Sequence, residues 1–218
     1  KAILNTAQKN SPETTAYIRP LIYRSDTNIS PDIAGDYELA VYMLDMPAYF
    51  QSPNGLRVDI SDWKRNSDKS IPPRTKATGG YINSALAISE AKAKGFDSSI
   101  MLDKDGFVSE GAVMNLFLVK DSQLITPSID SNILEGITRR TVLGIAEELG
   151  IKVAERKVSR DELLQADEVF FSGTATDITW CSQIENTIIS KNIGPLTKKI
   201  AEEFSGLPQT RPELFTKI

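Results

Sequence analysis

Lys76 stands just ahead of Gly79, Gly80 and Tyr81, and of a run of mostly small residues, 85–94, that reads as a helix. Lysine becomes a nucleophile only when its ammonium loses a proton, and partial burial beside apolar or aromatic groups lowers its pKa. Two glycines and a tyrosine after the lysine suit a reactive amine beside a bound ring, which makes Lys76 a candidate for a Schiff base. Most lysines that precede helices are simply solvated, so the rest of the chain must decide. The chain has no histidine. That excludes Ser-His and Cys-His catalysis and the usual histidine-based zinc sites, and no metal site is expected. Any proton shuttle must use another side chain, and Lys76 is the first choice as general base.

A second group lies further on. The helix read over 136–149 begins Gly136-Ile137-Thr138 and stops at Gly150. Its start offers free backbone N–H groups, a hydroxyl and the positive end of the aligned peptide dipoles, which together suit a phosphate. Many helices begin with Gly and Thr merely as caps. Ser172-Gly173-Thr174-Ala175 follows the strand read over 168–171 and supplies small residues where backbone must approach a ligand, although a plain turn has the same composition. Tyr17 and Arg19, two apart on a strand, share one face; an arginine fork matches a carboxylate, and a surface arginine on an edge strand is the alternative.

Four ordered stretches carry a resemblance. They are the run 76–84, then Val108-Ser109-Glu110-Gly111 leading to Asn115-Leu116-Phe117, then Leu134 to Arg139, then Ser172 to Thr179. In this order they resemble the signatures of fold-type IV pyridoxal-phosphate enzymes, and within these the branched-chain amino-acid aminotransferases, over about residues 17–204. The resemblance implies a two-domain α/β (α+β) fold with the small N-terminal domain truncated: 1–45 as its remainder, 46–55 as an interdomain loop and 56–218 as the large cofactor-binding domain. It implies pyridoxal 5′-phosphate held as a Schiff base by Lys76. Tyr81 would bond the ring hydroxyl, and Glu110 would face the pyridine nitrogen. The phosphate would lie against Gly136, Ile137, Thr138 and Thr174, with Leu134 and Gly173 also binding the cofactor. Tyr17, Arg19, Thr174 and Ala175 would receive the substrate carboxylate. The implied reaction moves the amino group of Leu, Ile or Val to 2-oxoglutarate in two half-reactions. D-amino-acid and (R)-amine transaminases and aminodeoxychorismate lyases share the motif set, and a noncatalytic cofactor-binding homologue is a further alternative. Family members are usually homodimers. An N-terminal portion carrying the phosphate-gripping arginine is expected before Lys1.

The positioning elements follow from pattern. The 218 residues, 40% hydrophobic and 25% charged, can bury a substantial core. A net charge of −4 with interspersed signs argues against nucleic acid. No apolar run spans a bilayer, and the N-terminus lacks a secretory pattern, so no membrane partner and a cytoplasmic location are expected. Cys181 is the only cysteine, expected to be small and partly buried. Strands are expected over 17–24, 38–44, 56–60, 99–102, 107–109, 116–119, 151–155 and 168–171. The end of a helix is expected over 1–7, helices over 83–94, 136–149 and 160–165, and a final one from 194 to 204. Asp105-Gly106 is a hairpin turn. Met46 to Gly55, with Pro47 and Tyr49, is a connection rich in turn formers, Tyr49 a pocket residue or loop packing, and Trp63 core.

Overall fold

The computed structural model describes residues 1–30, 32–46 and 52–216. The chain divides into two compact units, 1–49 with 212–218 and 50–211. Among the described residues, 212–216 thus group with the first unit, where 56–218 was expected as the large domain. The helix before them stops at Thr210, where Arg211 leaves helical backbone (φ −137°, ψ 62°), as the residue ahead of a proline tends to.

In the first unit, α1 (Ala2–Asn10) ends at Ser11, whose left-handed backbone returns its N–H to the Ala7 carbonyl. The helix packs on an antiparallel pair, β1 (Ala16–Arg24) and β2 (Tyr37–Asp45), in register from Ala16 opposite Asp45 to Arg24 opposite Tyr37. Both strands fall where the aromatic and branched residues place them. The connection expected over 46–55 lies partly outside the described residues, and Pro47 and Tyr49 are among those left out. Its described end closes as a turn, with the Gly55 N–H donating to the Ser52 carbonyl at 3.0 Å.

The second unit is built on nine strands: β3 (Leu56–Ile60), β4 (Ser98–Leu102), β5 (Val108–Gly111), β6 (Asn115–Lys120), β7 (Gln123–Thr126), β8 (Val153–Glu155), β9 (Glu168–Gly173), β10 (Asp177–Ile184) and β11 (Thr187–Ile188). Their order is β5-β4-β3-β10-β9-β6-β7-β8, with β11 beside β10. β3 runs parallel to β4 and β10, and β7 to β8; the other pairs are antiparallel. β10 changes neighbours along its length, pairing with β9 over 177–180 and with β3 over 181–184. Neither β7, β10 nor β11 was expected from the pattern. The helices are α2 (Tyr81–Ala93), α3 (Ile137–Glu148), α4 (Arg160–Leu164) and α5 (Pro195–Thr210).

Side chains alternate across a strand, and here the alternation sorts the core. On β6, Leu116 and Leu118 join a cluster with Val58, Ile100, Phe171 and Ile184, while Phe117 and Val119 face a second cluster with Phe170, Val142, Ile145 and Ile200. The sheet is therefore buried on both faces, which explains the near-continuous apolar run Leu116-Phe117-Leu118-Val119. Phe117 and Phe170 stack at 4.9 Å between centroids. Each buried side chain of this size contributes about 1.5–3 kcal/mol, so β6 and β9 form a stiff centre. Trp63, expected in the core, is 47% exposed; the strap carrying it is held by hydrogen bonds instead, as described below. Cys181 is buried, and burial pushes its thiol up to about 12. No described helix is long and apolar enough to cross a membrane.

Candidate active site

Glu110 is the centre of the site in the second unit. It sits on β5 opposite Met101 of β4, beside the β6 end that starts at Asn115, and only 2% of it is exposed. A buried carboxylate is costly unless paired and hydrogen-bonded. Glu110 is both. Its Oε1 lies 2.6 Å from Arg65 Nη2 and accepts the Leu134 N–H at 3.1 Å, while Oε2 accepts from Asn115 Nδ2 at 2.8 Å. Burial still dominates and pushes its pKa up to about 7, against the opposing pull of Arg65, the Leu134 N–H and the Lys76 charge. A carboxylate offers about four lone-pair sites. Among the described contacts one remains, on Oε2, for an N–H donor.

Arg65 was not foreseen; residues 63–74 read only as an irregular polar stretch. Its strap is moored at several points. The Arg65 N–H donates to the Leu102 carbonyl at 2.8 Å, its Nη1 to Ser84 Oγ at 3.2 Å, and Asn83 Nδ2 to the Lys64 carbonyl at 2.9 Å. The available signal was Glu110 itself: a glutamate on a short strand followed by the strand Asn115–Lys120 needs a charged or hydrogen-bonding partner once it is buried.

Lys76 is placed by backbone geometry. It occupies a left-handed conformation, φ 50°, ending the 3-10 turn Pro73–Thr75, and its N–H returns to the Pro73 carbonyl. Arg74 anchors this turn to Asp68, to the Ile129 carbonyl at 3.3 Å and to Glu135 at 3.6 Å. The lysine turn is thus tied to the segment that opens α3. The structure brings Lys76 near enough to Glu110 for its charge to stabilise the carboxylate. Lys76 is nevertheless exposed rather than partly buried as expected, because the turn carrying it lies at the surface. Tyr81, the first residue of α2, is 40% exposed.

The opening of α3 has no side-chain cap and no acidic residue in its first turn. The N–H groups of a first helical turn have no intrahelical partner. Gly136 supplies the N-cap position, Thr138 is buried and Ile137 is 77% exposed. Leu134 joins this opening to Glu110 through its N–H. Gly173, Thr174 and Ala175 lie at the turn between β9 and β10, where Ser172 pairs with Asn115 and Gly173 packs near Met114. Glu110, Leu134, Gly136, Thr138 and Gly173 are therefore neighbours through β5, β6 and β9.

Tyr17 and Arg19 belong to the first unit. On β1 they stand opposite Leu44 and Tyr42 respectively, with the Arg19 guanidinium 5.4 Å from the Tyr17 ring centroid. The Tyr17 hydroxyl, above all, raises the Arg19 pKa further. The shared face expected of them is present.

An exposed lysine, a buried carboxylate with one acceptor left and an uncapped helix start thus come together on a mixed α/β sheet. Residues 1–184 match the family described as Amino-transferase class IV, and the chain belongs to that family. Among its relatives, a probable branched-chain-amino-acid aminotransferase of Aquifex aeolicus is 42% identical over 199 residues, 89% of this chain and 64% of that protein. The crystal structure of the branched-chain aminotransferase of Thermoproteus uzoniensis with norvaline superposes with a TM-score of 0.92 at 39% identity, covering 98% of this chain and 71% of that one. That of Thermobaculum terrenum in its PLP form superposes at 0.89 with 34% identity, covering 96% and 69%. The mixed α/β fold-type IV fold implied by the motifs is the one shared with these structures. The chain spans about two thirds of the length of the curated relatives it matches.

Proposed function

We propose that this chain serves a pyridoxal 5′-phosphate-dependent transaminase that moves the amino group of branched-chain L-amino acids to 2-oxoglutarate. The observation carrying this reading is Glu110, buried, paired with Arg65 and left with one acceptor site, next to an uncapped helix start and within the field of an exposed lysine. The residues fit the cofactor. Residues 134–138, with Gly173 and Thr174, would hold the phosphate through backbone N–H groups and the Thr138 and Thr174 hydroxyls. Tyr81 would donate to the ring hydroxyl, and Tyr17, Arg19, Thr174 and Ala175 would bind the substrate carboxylate. When bound, pyridoxal 5′-phosphate supplies an electron-accepting ring and an aldehyde carbon that joins an amine.

The chain's own groups do the rest. Glu110 Oε2 would accept the ring N–H and so keep that nitrogen protonated, and Arg65 and Asn115 hold the carboxylate in place. Lys76 Nζ would hold the cofactor's aldehyde carbon and, as a free amine once the amino substrate is bound, would take the proton from the substrate's α carbon and return it to that aldehyde carbon; with no histidine in the chain, no imidazole competes for that role. The domain reading is part of the proposal: 1–45 within a small domain, 46–55 as a connection and 56–211 as the cofactor-binding domain, the residues after 211 grouping with the first unit. So are a cytoplasmic location and a homodimeric or larger assembly, on the net charge of −4 and single cysteine and on the family habit.

The test uses the full-length protein. Visible absorption of bound cofactor should appear with pyridoxal 5′-phosphate and be lost on adding L-leucine, but not D-alanine or an (R)-amine. Lys76→Ala should abolish turnover. A Lys76→Ala protein with normal turnover would sink the mechanism, and loss of the band only with D-alanine or the amine would overturn the substrate.

A further inference from the structure

Asn115 is named by the motif, and its contacts reach beyond the carboxylate it helps to hold. It lies on β6, 5% exposed, and both hydrogens of its amide are committed. One goes to Glu110 Oε2 at 2.8 Å and the other to the Leu134 carbonyl at 2.7 Å. The amide orientation is dictated by these partners, since a flipped Oδ1 would face a carboxylate and a carbonyl, both acceptors. The loop is closed by two more bonds: the Leu134 N–H donates to Glu110 Oε1 at 3.1 Å and the Gly136 N–H to the Leu134 carbonyl at 2.9 Å. On its other side, Asn115 Oδ1 presses against Gly136 so closely that a Cβ there would lie 2.1 Å away. One amide thus locks the β5 carboxylate to the turn that opens α3.

We infer that Asn115 is a positioning residue that fixes the distance between the acceptor for the cofactor's ring nitrogen and the cradle for its phosphate, so that both ends are held as one rigid body. The inference rests on the pyridoxal-phosphate reading above. It has a consequence that ordinary fold stabilisation lacks. When two anchors are rigidly linked, binding one end raises the effective concentration of the other, and that gain disappears when the link loosens.

The test measures equilibrium dissociation constants of pyridoxal and of pyridoxal 5′-phosphate for the full-length apoprotein, in wild type, Asn115→Ala and Asn115→Asp. The aspartate keeps the volume while removing the donor, so it supplies the same reading if the alanine variant fails to fold. Pyridoxal 5′-phosphate should bind roughly 10- to 100-fold more weakly in the variants, the range for a lost hydrogen bond to a charged group. The ratio of the two constants, pyridoxal over its phosphate, should fall by roughly tenfold. In Asn115→Asp the pH titration of the bound cofactor's visible absorption should also shift, because a second carboxylate then faces Glu110. Equal weakening of both ligands with an unchanged ratio would assign Asn115 a structural role only and overturn the inference, as would wild-type affinity in both variants. A wild-type protein that bound neither ligand would instead overturn the cofactor reading, and this inference with it.

Discussion

Replacing Glu110 by glutamine should remove a pH dependence of stability that the buried carboxyl imposes. Its folded pKa is raised from 4.5 to about 7, with burial as the leading cause. The folded chain therefore keeps a proton over a window in which the unfolded chain has already lost it. Folding takes up that proton, so this contribution to stability is fully present below pH 4.5 and declines as pH rises towards 7. A shift of this size corresponds to about 3 kcal/mol across the window. The chain has no histidine, the side chain whose ordinary value falls inside that window. The charges facing Glu110 are those of Arg65 and Lys76, both of which oppose the effect of burial.

Glutamine cannot titrate, but it brings a fixed cost. If its oxygen takes the place of Oε1 towards Arg65 and Leu134, its amide nitrogen opposes Asn115 Nδ2, two donors facing each other, at about 1–3 kcal/mol. That offset does not vary with pH. The assay is urea unfolding of the full-length apoprotein from pH 4.5 to 7, wild type against Glu110→Gln. The difference between the two curves should change by about 3 kcal/mol over that window, the variant gaining relative to wild type as pH rises. Parallel curves would refute the placement of Glu110 as a buried, titrating carboxyl.

Arg65→Met leaves Glu110 buried without its cation and should destabilise the apoprotein by about 3–5 kcal/mol near neutral pH, read by the same urea titration; a loss under about 1 kcal/mol would contradict the ion pair. Gly136→Ala forces a methyl group to within 2.1 Å of Asn115 Oδ1 and should cost about 1–3 kcal/mol. Combined with Asn115→Ala, which vacates that space, the glycine substitution should cost little further. Additive losses in thermal unfolding would argue against the contact.

The parts of the site that were legible in the sequence are those encoded by local residue type. Lys76 with its glycines, the Gly136-Ile137-Thr138 helix start and the small residues at 173–175 each carry a local reason for their chemistry, and the strand and helix patterns placed them on the correct elements. Arg65 was not legible. Its partner is 45 positions away, and nothing in Trp63-Lys64-Arg65-Asn66 distinguishes a buried arginine from a solvated one. Trp63 was misplaced for the same reason: a large aromatic residue suggests core, yet the strap is fixed by backbone and amide contacts that leave the indole outside. β10 escaped because Asp177-Ile178-Thr179-Trp180-Cys181-Ser182-Gln183-Ile184 mixes polar and apolar residues without a clean period. Its two halves answer to different neighbours, β9 and β3, so no single face governs its composition.

That divided strand has a consequence for how the chain is made. β3 is complete at residue 60 and acquires β4 by residue 102, but its other edge has no partner until 181–184 are available. Antiparallel pairs such as β4 with β5 and β6 with β7 close over short distances and form early, whereas this parallel pairing closes over the longest span of the sheet and forms slowly. During synthesis an open strand edge is therefore carried through most of the chain, a time when it can pair with the wrong partner. A chain stopped just before 181 would hold two half-sheets that lack their splice. Completion of the sheet waits on a segment that contributes no candidate site residue beyond the turn before it.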